Sequence, residues 1–471
     1  MQYFSIDESS LQKVIDCGRE LGCDYIDIYL EHSSFTSVSI LPEGENRAAQ
    51  NVDYGAGVRC VCGDKSGYAY TEQISPADLL AAVQQASAIA RTVAHDGTPR
   101  APYRVGNQSP APLTYPTEGF PFQPDGGHIG GMVRYLQDMR TALLDADSDI
   151  VRVSGSIRHQ VKRIAIINSL GTLVEEARPM SSVSISAVIT RDGATESAGV
   201  SRSYRLPLSM LTDTLRDEIV EQTLNKLHFA LKARQPQGGE MPVVMGSGAS
   251  GILLHEAIGH AFEADFVRRG ESIFSDRLGQ QICLPDITVV DSGIDPEMRG
   301  SIHFDDEGTP SQCTKIVTEG RLTSFLHDRI SAHHFGIEST GNGRRENFRS
   351  MPLPRMRNTY MLNGTCHEQD LIADVKRGIY VTDFSNGQVQ IGAGDYSFFV
   401  KGGYLIEDGH LTQPVKDINI IGNGPQTLAD IKAVADNLRI DPSLWMCGKE
   451  GQGCPVSCGM PSVLVSKLTV G

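Results

Sequence analysis

Two histidines and a glutamate lie within six consecutive residues and could together bind a catalytic metal ion. They are His255, Glu256 and His260, set in an apolar stretch rich in helix-forming residues. Imidazoles are common zinc ligands, and a glutamate beside a zinc ligand can take a proton from a water molecule that the metal activates. The run therefore predicts a zinc site on a half-buried helix, with His255 and His260 as ligands and Glu256 as general base.

The spacing of the two histidines differs from the familiar H-E-x-x-H pattern, in which they are four residues apart. Here they are five apart, which places them about 140° apart around a regular α-helix, too far to share one ion. A π-helical turn would bring both onto one face, and Gly259 tolerates such a distortion. A helix that carries the three residues without a metal is the alternative, but it would bury polar groups that need partners.

A glycine-rich segment just upstream allows a second interpretation, a dinucleotide-binding turn. Residues 246–251 match G-x-G-x-x-G, between a strand-like segment and a helix. A dinucleotide-binding helix packs small apolar residues on its sheet, whereas this helix carries the histidines in its first turns. The segment is better explained as a tight turn, with Ser250 as the N-cap of the helix.

Composition excludes some classes of function. The formal net charge of −15 argues against nucleic acid as the main partner, because phosphate binding needs a basic surface. We expect no secretory signal and no membrane span, because neither pattern is visible in the chain. Most of the ten cysteines lie scattered among apolar residues and are predicted to be reduced. The chain is therefore predicted to be cytoplasmic.

The hydrophobic pattern predicts an α+β fold in two domains. An N-terminal mixed α/β domain with an antiparallel sheet is predicted for residues 1–235, and a C-terminal β-rich, barrel-like domain carrying the metal-binding helix for 236–471. The Pro-rich stretch 99–127 is predicted to lack regular structure. N-terminal strands are predicted at 25–30, 36–40, 57–62, 66–70, 150–158, 161–168, 173–178 and 182–191.

Two charged runs are candidate substrate contacts. Residues 304–310 are acidic, and residues 343–358 are basic in an otherwise acidic chain. Asp306, Arg344 and Arg345 are the predicted substrate-binding residues, because arginines can anchor a peptide carboxylate or backbone carbonyls. The alternative is that both runs are simply solvated loops.

A catalytic zinc needs a third protein ligand and an open position, and the helix supplies two ligands. The residues alone leave several candidates open for the third. They are Glu263, His303, His327, His333, His334 and the C-terminal cysteines Cys447, Cys454 and Cys458.

Several separate segments, in order along the chain, resemble the TldD/PmbA family, and within it the TldD-like branch that keeps the H-E-x-x-x-H motif. The similarity extends from about Asn51 to the C-terminus. The segments that carry it are 248–262, 304–310, 325–329, 343–345 and 446–449.

The resemblance implies a cytosolic zinc metalloprotease with one Zn²⁺ per active subunit. It implies His255 and His260 as ligands, Glu256 as the base and Cys447 as the third ligand. Members of this kind hydrolyse unfolded or short peptides in an enclosed chamber, so a PmbA-like paralogue or a second copy is the expected partner. The rival is a non-catalytic peptide- or partner-binding regulatory protein with a structural metal site. A fourth ligand from Cys454 or Cys458 would favour that rival.

Overall fold

The computed structural model describes residues 4–63, 65–92, 127–390 and 392–471. Nearly all of the Pro-rich stretch 99–127 lies outside the described residues. Within the described part, an N-terminal half built on one large sheet is followed by a C-terminal half with a barrel and a second sheet. The predicted α+β class is thereby confirmed. None of the helices in the described ranges is both long and apolar enough to cross a bilayer.

Six strands form one antiparallel sheet in the N-terminal half. They are β1 (Tyr25–Ile40), β2 (Asn46–Cys62), β3 (Lys65–Thr71), β4 (Ile150–Asn168), β5 (Leu173–Arg191) and β6 (Ala194–Tyr204). Their order across the sheet is β3-β2-β1-β4-β5-β6, so neighbours in sequence are mostly neighbours in space. The antiparallel sheet predicted for this half is confirmed.

Four of these strands are much longer than the hydrophobic pattern predicts, and β2 extends over Asn46–Cys62 where only 57–62 is predicted. The pieces predicted at 25–30 and 36–40 are one 16-residue strand, and β4 and β5 each join two predicted pieces into 19 residues. In the second half of β1 most residues are only partly buried, so the apolar alternation fades while the backbone pairing continues. Strand β6 has no predicted counterpart, because most of its residues are exposed or half-buried and it lacks an apolar stripe.

Four helices cover one face of this sheet. They are α1 (Glu8–Glu20), α2 (Pro76–Thr92), α3 (Gly127–Ala146) and α4 (Asp213–Lys232). Because successive strand residues point to opposite faces, Ile26 and Ile28 of β1 pack in the core with α1 and α2. Asp27 and Tyr29, which alternate with these two isoleucines, point the other way and contact Arg345 and Phe348 of the C-terminal half. The sheet is thus enclosed between its helices and the C-terminal half.

The C-terminal half consists mainly of short strands. They are β7 (Gly239–Met245), β8 (Val289–Ser292), β9 (Cys313–Thr318), β10 (Arg321–Leu322), β11 (Gly343–Arg344), β12 (Leu353–Pro354), β13 (Asn358–Met361), β14 (Arg377–Val389), β15 (Asp395–Glu407), β16 (His410–Val415), β17 (Ile418–Asn423), β18 (Ile431–Val434), β19 (Arg439–Asp441), β20 (Met446–Lys449), β21 (Gln452–Pro455), β22 (Ser457–Met460) and β23 (Val463–Val470).

Five of these strands close into a barrel. Strand β14 pairs with β15, β15 with β17, β17 with β23, β23 with β7, and β7 again with β14. The barrel-like C-terminal half predicted from the sequence is therefore confirmed. A second sheet has the order β10-β9-β8-β13-β22-β19, and β20 and β21 form a separate hairpin. The predicted boundary at residue 235 falls in the connection between α4 and β7.

Short helices connect these strands. They are α5 (Gly251–Leu254), a π-helix (His255–Gly259), a 3₁₀ helix (His260–Phe262), α6 (Ala264–Arg268), α7 (Arg329–Phe335), α8 (Glu368–Ala373) and α9 (Gly424–Ala429), with a further 3₁₀ helix (Leu208–Met210) before α4. The first three follow one another without a break and form the metal-binding helix predicted from the sequence. This helix contributes to the largest apolar core of the C-terminal half.

Candidate metal centre

The predicted π-helical turn occurs where the two histidines need it. Residues His255–Gly259 form a π-helix between a short α-helix and a 3₁₀ turn. The rings of His255 and His260 lie on the same side, with their centroids 5.1 Å apart and their planes at 81°. A spacing of five residues is therefore compatible with one shared ion.

Glycines allow this helix to pack closely, and their role differs from the expected one. A Cβ atom on Gly251 would lie 2.3 Å from the backbone nitrogen of Gly459 in β22, and one on Gly259 would lie 2.3 Å from Sδ of Met356. The dihedrals of Gly259 are ordinary helical values, φ −58° and ψ −47°. Gly259 thus provides space for Met356, and its conformational freedom is not needed.

The glycine-rich segment before the helix is a tight turn, with Gly248 at φ +86°. Ser250 occupies the N-cap position, but its hydroxyl makes no capping hydrogen bond, contrary to the expectation. Successive backbone N–H groups of Gly251, Ile252 and Leu253 instead donate to carbonyls three residues earlier. The first turn is therefore closed by the backbone alone.

A third side chain able to bind a metal ion beside the two histidines comes from the hairpin of β20 and β21. Sγ of Cys447 lies 3.5 Å from Nε2 of His260. One ligand atom from each of His255, His260 and Cys447 lies within 4.8 Å of the other two, and all three residues are buried. Tetrahedral ligands at about 2.0 Å (nitrogen) and about 2.3 Å (sulfur) from zinc would be about 3.5 Å apart, so the observed distance fits such an ion.

The other candidates for the third ligand lie elsewhere. Glu263 contacts the far side of His260, and His303 contacts Glu176. His327 is buried between Phe325 and Phe335, and burial lowers its pKa to about 4. Neither His333, His334, Cys454 nor Cys458 belongs to the metal-ligating group found among the described residues.

His260 is held in one orientation by a buried carboxylate. Nδ1 of His260 lies 3.0 Å from Oε2 of Glu263, which leaves Nε2 directed toward Cys447. Lys449 donates to the same Glu263 oxygen at 3.0 Å and to Asp265 at 2.6 Å. Burial would raise the pKa of Glu263, but Lys449 and His260 outweigh it and lower that pKa to about 2. Glu263 is therefore an ionised partner that fixes the tautomer of His260.

The environment of His255 and Cys447 fits a cation. Both ring nitrogens of His255 are buried and have no hydrogen-bond partner within the described chain. Burial alone would raise the pKa of the Cys447 thiol, but the neighbouring His260 and His255 bring it well below its ordinary value. An imidazole without partners beside a thiolate is a costly arrangement unless a metal ion binds there.

Glu256 is the partly exposed member of the site. Its Oε2 lies 4.0 Å from Nε2 of His260, and its side chain is 25% exposed, against 7% for that of His260. The ligands are thus buried, while the carboxylate faces the side open to solvent. A molecule that approaches the metal-ligating group from solvent would meet Glu256.

The three predicted substrate-binding residues lie apart from the ligands, in the contact between the two halves. Arg345 donates to the carbonyl of Asp306 at 2.9 Å, and the carboxylate of Asp306 pairs with Arg178 at 2.5 Å. Arg344 donates to the carbonyls of Met356 at 2.6 Å and Pro455 at 2.8 Å. All three side chains are buried.

Sequence reasoning did not identify Lys449 or the supporting role of Glu263. One signal was available for Lys449, which follows Cys447 by two residues on a strand and so points to the same face. For Glu263, three residues after His260, the extended backbone directly after the 3₁₀ turn decides the direction of the side chain, and that geometry is not visible in the sequence.

Two histidines, a cysteine and an adjacent glutamate, carried by a bulged helix and a hairpin of a barrel domain, define a metallopeptidase type of site. Three sequence models of one family match the chain: PmbA/TldA metallopeptidase domain 1 at 26–90, the central domain at 130–227 and the C-terminal domain at 238–471. The chain therefore belongs to the PmbA/TldA metallopeptidase family.

Curated relatives agree with this assignment. The chain is 35% identical over 482 residues to a metalloprotease TldD homologue of Haemophilus influenzae, covering 99% of this chain and 97% of the relative. It is 34% identical to a metalloprotease TldD homologue of Buchnera aphidicola, covering 97% and 94%. The family resemblance noted in the sequence is confirmed, and the protein is a metallopeptidase.

Solved structures show the same fold. TldE from Thermococcus kodakarensis superposes with a TM-score of 0.74 at 19% identity, covering 98% of this chain and all of that one. A Thermotoga maritima protein superposes with a TM-score of 0.76 at 21% identity, covering 98% and 100%. At these identities the likeness concerns the fold alone.

Proposed function

We propose that this metallopeptidase uses zinc, bound by His255, His260 and Cys447, to hydrolyse unfolded or short peptides. The observation that carries the proposal is the buried imidazole of His255, whose two nitrogens form no hydrogen bond with the described residues and which lies beside a thiol and a second imidazole. A relative from Saccharolobus solfataricus, 31% identical over 54% of this chain, is named a zinc metalloprotease TldD homologue, which supports zinc as the metal.

Each residue of the site has a distinct part in this proposal. Zinc, when bound, would polarise the scissile carbonyl and make a water molecule more acidic. Glu256 accepts the proton of the attacking water at a carboxylate oxygen and then donates it to the nitrogen of the leaving amine. Glu263 and Lys449 keep the ring of His260 in the orientation that presents Nε2 to the metal.

The burial of the site supports unfolded or short peptides as the substrate class. His255 and His260 are 1% and 5% exposed, so a folded surface loop has little access to them. An extended segment can enter a narrow opening, and backbone contacts would give it affinity without strong sequence preference.

Location and partner are proposed on the basis of the family resemblance. The ten free cysteines fit a reducing compartment, which supports the cytoplasm. A PmbA-like paralogue or a second copy of this chain is the proposed partner, and light scattering with and without the paralogue tests it. Neither nucleic acid nor a membrane is among the proposed partners.

The decisive experiment combines metal analysis with cleavage of an unstructured peptide. We expect about one zinc ion per chain and cleavage that a chelator abolishes and added zinc restores. A folded protein that contains the same peptide in a strand is the control and should remain intact. Cleavage that persists without any metal would contradict the proposal.

The rival, a regulatory protein with a structural metal, predicts four protein ligands and no cleavage. The group of three ligands found among the described residues favours catalysis. X-ray absorption on the zinc-loaded protein counts the sulfur ligands directly: one sulfur agrees with the proposal, and two would favour the rival.

A further inference from the structure

A strongly basic cavity lies between the N-terminal sheet and the β20–β21 hairpin. Its volume is about 310 Å³, and seven of its lining residues are arginine or lysine, against two that are acidic. The whole chain has the opposite balance, with 42 basic and 57 acidic residues. The concentration of positive charge at this position is therefore a local feature.

The hairpin separates this cavity from the metal-ligating group. Met446, Gly453 and Pro455 line the cavity, while Cys447, next to Met446 on β20, points to the opposite face toward His260. Successive strand residues point to opposite faces, so one β-ribbon has the cavity on one side and the metal-ligating group on the other. A molecule in the cavity would thus lie close to the proposed active site.

Three of the cavity's cations are neutralised within the protein. Arg178 pairs with Glu176 at 2.9 Å and with Asp306 at 2.5 Å. Lys162 lies 3.2 Å from Glu31.

Arg345 is the third, and it lies 3.4 Å from Asp27. These side chains are held by carboxylates of the protein and do not need a ligand.

Arg299 and Arg344 differ, because neither forms an ion pair with a carboxylate of the described chain. Arg299 is 4% exposed, and it donates to the hydroxyl of Ser203 and to the carbonyl of Trp445. Nε of Arg299 has no hydrogen-bond partner among the described residues. Burial and then the positive charges of Arg205 and Arg344 lower the pKa of Arg299 to about 9.

Arg344 is 3% exposed and donates only to the carbonyls described above. A buried guanidinium without a counter-ion is costly, and an anion that enters the cavity would relieve this cost for both arginines.

We propose that this cavity binds a carboxylate of the peptide substrate, through Arg299 and Arg344. This inference rests on the proposed function and adds a substrate class to it: peptides that carry a carboxylate at a fixed distance from the scissile bond. A guanidinium binds a carboxylate through two parallel N–H donors, which gives direction as well as charge. The carboxylate comes either from the C-terminus of the peptide or from an Asp or Glu side chain.

The test measures binding separately from hydrolysis. The probes are four fluorescent, unstructured dodecapeptides of Gly, Ser and Ala: one with a free C-terminus, one with a C-terminal amide, and two amidated forms with an interior Glu or Gln. Binding is measured by fluorescence anisotropy on the zinc-loaded Glu256→Gln chain. We expect at least one carboxylate peptide to bind about 10- to 100-fold more tightly than its amide counterpart, and the pair that shows the difference identifies the source.

Substitutions then locate the site. Arg299→Gln should reduce the preference for the carboxylate to about twofold or less. Arg158→Gln, at the exposed rim of the cavity, should reduce it in part. This second variant keeps the test valid if Arg299→Gln does not fold. Arg152→Gln is the matched control, because it lies exposed on the same strand outside the cavity and should retain the full preference.

The outcomes separate this proposal from the proposed function. Equal binding of all four peptides, or a preference unchanged in both Arg299→Gln and Arg158→Gln, overturns the carboxylate site. Equal kcat/KM on all four peptides with the wild-type chain also contradicts it and leaves the proposed function intact. Selective carboxylate binding without cleavage by the wild-type chain contradicts the proposed function and supports the site.

Discussion

Two buried polar regions of the molecule differ in whether their polar groups are paired with other groups of the protein. The first is the metal-ligating group of His255, His260 and Cys447. The second, which we call the interdomain network, joins the N-terminal sheet to the C-terminal half, and its members are Asp27, Arg59, Arg178, Asp306, Glu307 and Arg345. In the network Arg59 lies 2.5 Å from Asp27 and 2.6 Å from Glu307. In the metal-ligating group the nitrogens of His255 form no hydrogen bond in the part of the chain that the structure describes.

The difference shows how burial alone fails to identify a functional site. Both regions are almost inaccessible to solvent, and both contain strongly interacting groups. Where buried charges face opposite charges, they hold two parts of the chain together. Where both nitrogens of a buried imidazole form no hydrogen bond within the described chain, as at His255, a bound cation would supply the partner. If this distinction is correct, substitutions in the two regions will have separable effects on metal binding and stability.

The largest effect is expected for His260→Ala. Removal of one of three ligands should reduce the zinc content from about one ion per chain to nearly none, and peptide hydrolysis should disappear with it. Metal analysis after dialysis measures this directly. His410→Ala, an exposed histidine, is the control and should retain its zinc. Full zinc occupancy in His260→Ala would show that His260 is not a zinc ligand.

Glu256→Ala should lower the rate of peptide hydrolysis about 10²- to 10⁴-fold and leave the zinc content unchanged. The carboxylate accepts and returns a proton in the proposed reaction but does not hold the metal. The measurements are kcat on an unstructured peptide and zinc content of the same sample. Glu271→Ala, an exposed glutamate in the same half, should have wild-type activity. Hydrolysis at the wild-type rate in Glu256→Ala would show that Glu256 is not the general base.

In the interdomain network, Arg59→Met should destabilise the protein by about 3–5 kcal/mol, because it removes the shortest ion pairs of the buried carboxylates Asp27 and Glu307. Zinc content per folded chain should not change. Denaturant unfolding measures the loss. Arg19→Met, which removes an exposed pair with Asp16, should cost less than about 1 kcal/mol. A variant that is stable but depleted of zinc would contradict the separation of the two regions.

Glu263→Gln should weaken zinc binding about 10- to 100-fold without abolishing it. The amide keeps the shape of the side chain but removes the negative charge that faces His260 and Lys449. Competition with a coloured chelator gives the affinity. Glu271→Gln serves as the exposed control, and an unchanged affinity in Glu263→Gln would show that the ring of His260 needs no charged partner.

The smallest effect concerns pH and His327. Burial lowers its pKa from 6.5 to about 4, so the unfolded chain binds a proton below pH 6.5 that the folded chain does not. The contribution of His327 to the stability of the folded state is therefore complete above about pH 6.5 and is lost as the pH falls toward about 4. Between about pH 7 and about pH 5.5 we expect a loss of about 1 kcal/mol that His327→Leu lacks. Denaturant unfolding at both values measures it, with His410→Gln as the control; an identical pH dependence in His327→Leu would show that the ring titrates normally.

The sequence allowed much of the fold and part of the site to be predicted. Local periodicity indicated the α+β class and the barrel-like half, but it divided long strands wherever polar residues interrupted the apolar alternation. The spacing of His255 and His260 was enough to predict the π-turn. The third ligand lies 187 residues after His260, and no local pattern links such positions. Only the family resemblance selected Cys447 from the several candidates for the third ligand.

Charged runs were the least informative signal. Arg344, Arg345 and Asp306 stand out in the sequence as a polar surface, yet all are buried. A run of charges does not reveal which charges face each other, because the partners Arg178 and Asp27 come from distant strands of the other half. Two buried arginines form no ion pair with a carboxylate of the described chain: Arg344 lies in such a run, but Arg299 does not.

The long interval between the helix and the hairpin has a consequence for the newly made enzyme. At about 5–20 residues per second, the ribosome needs about 10–40 seconds to add the 187 residues that separate His260 from Cys447. Throughout that interval a chain still in translation holds at most two of the three side chains proposed to bind zinc. Under the proposed function, proteolytic activity would therefore begin only after Cys447 has been added.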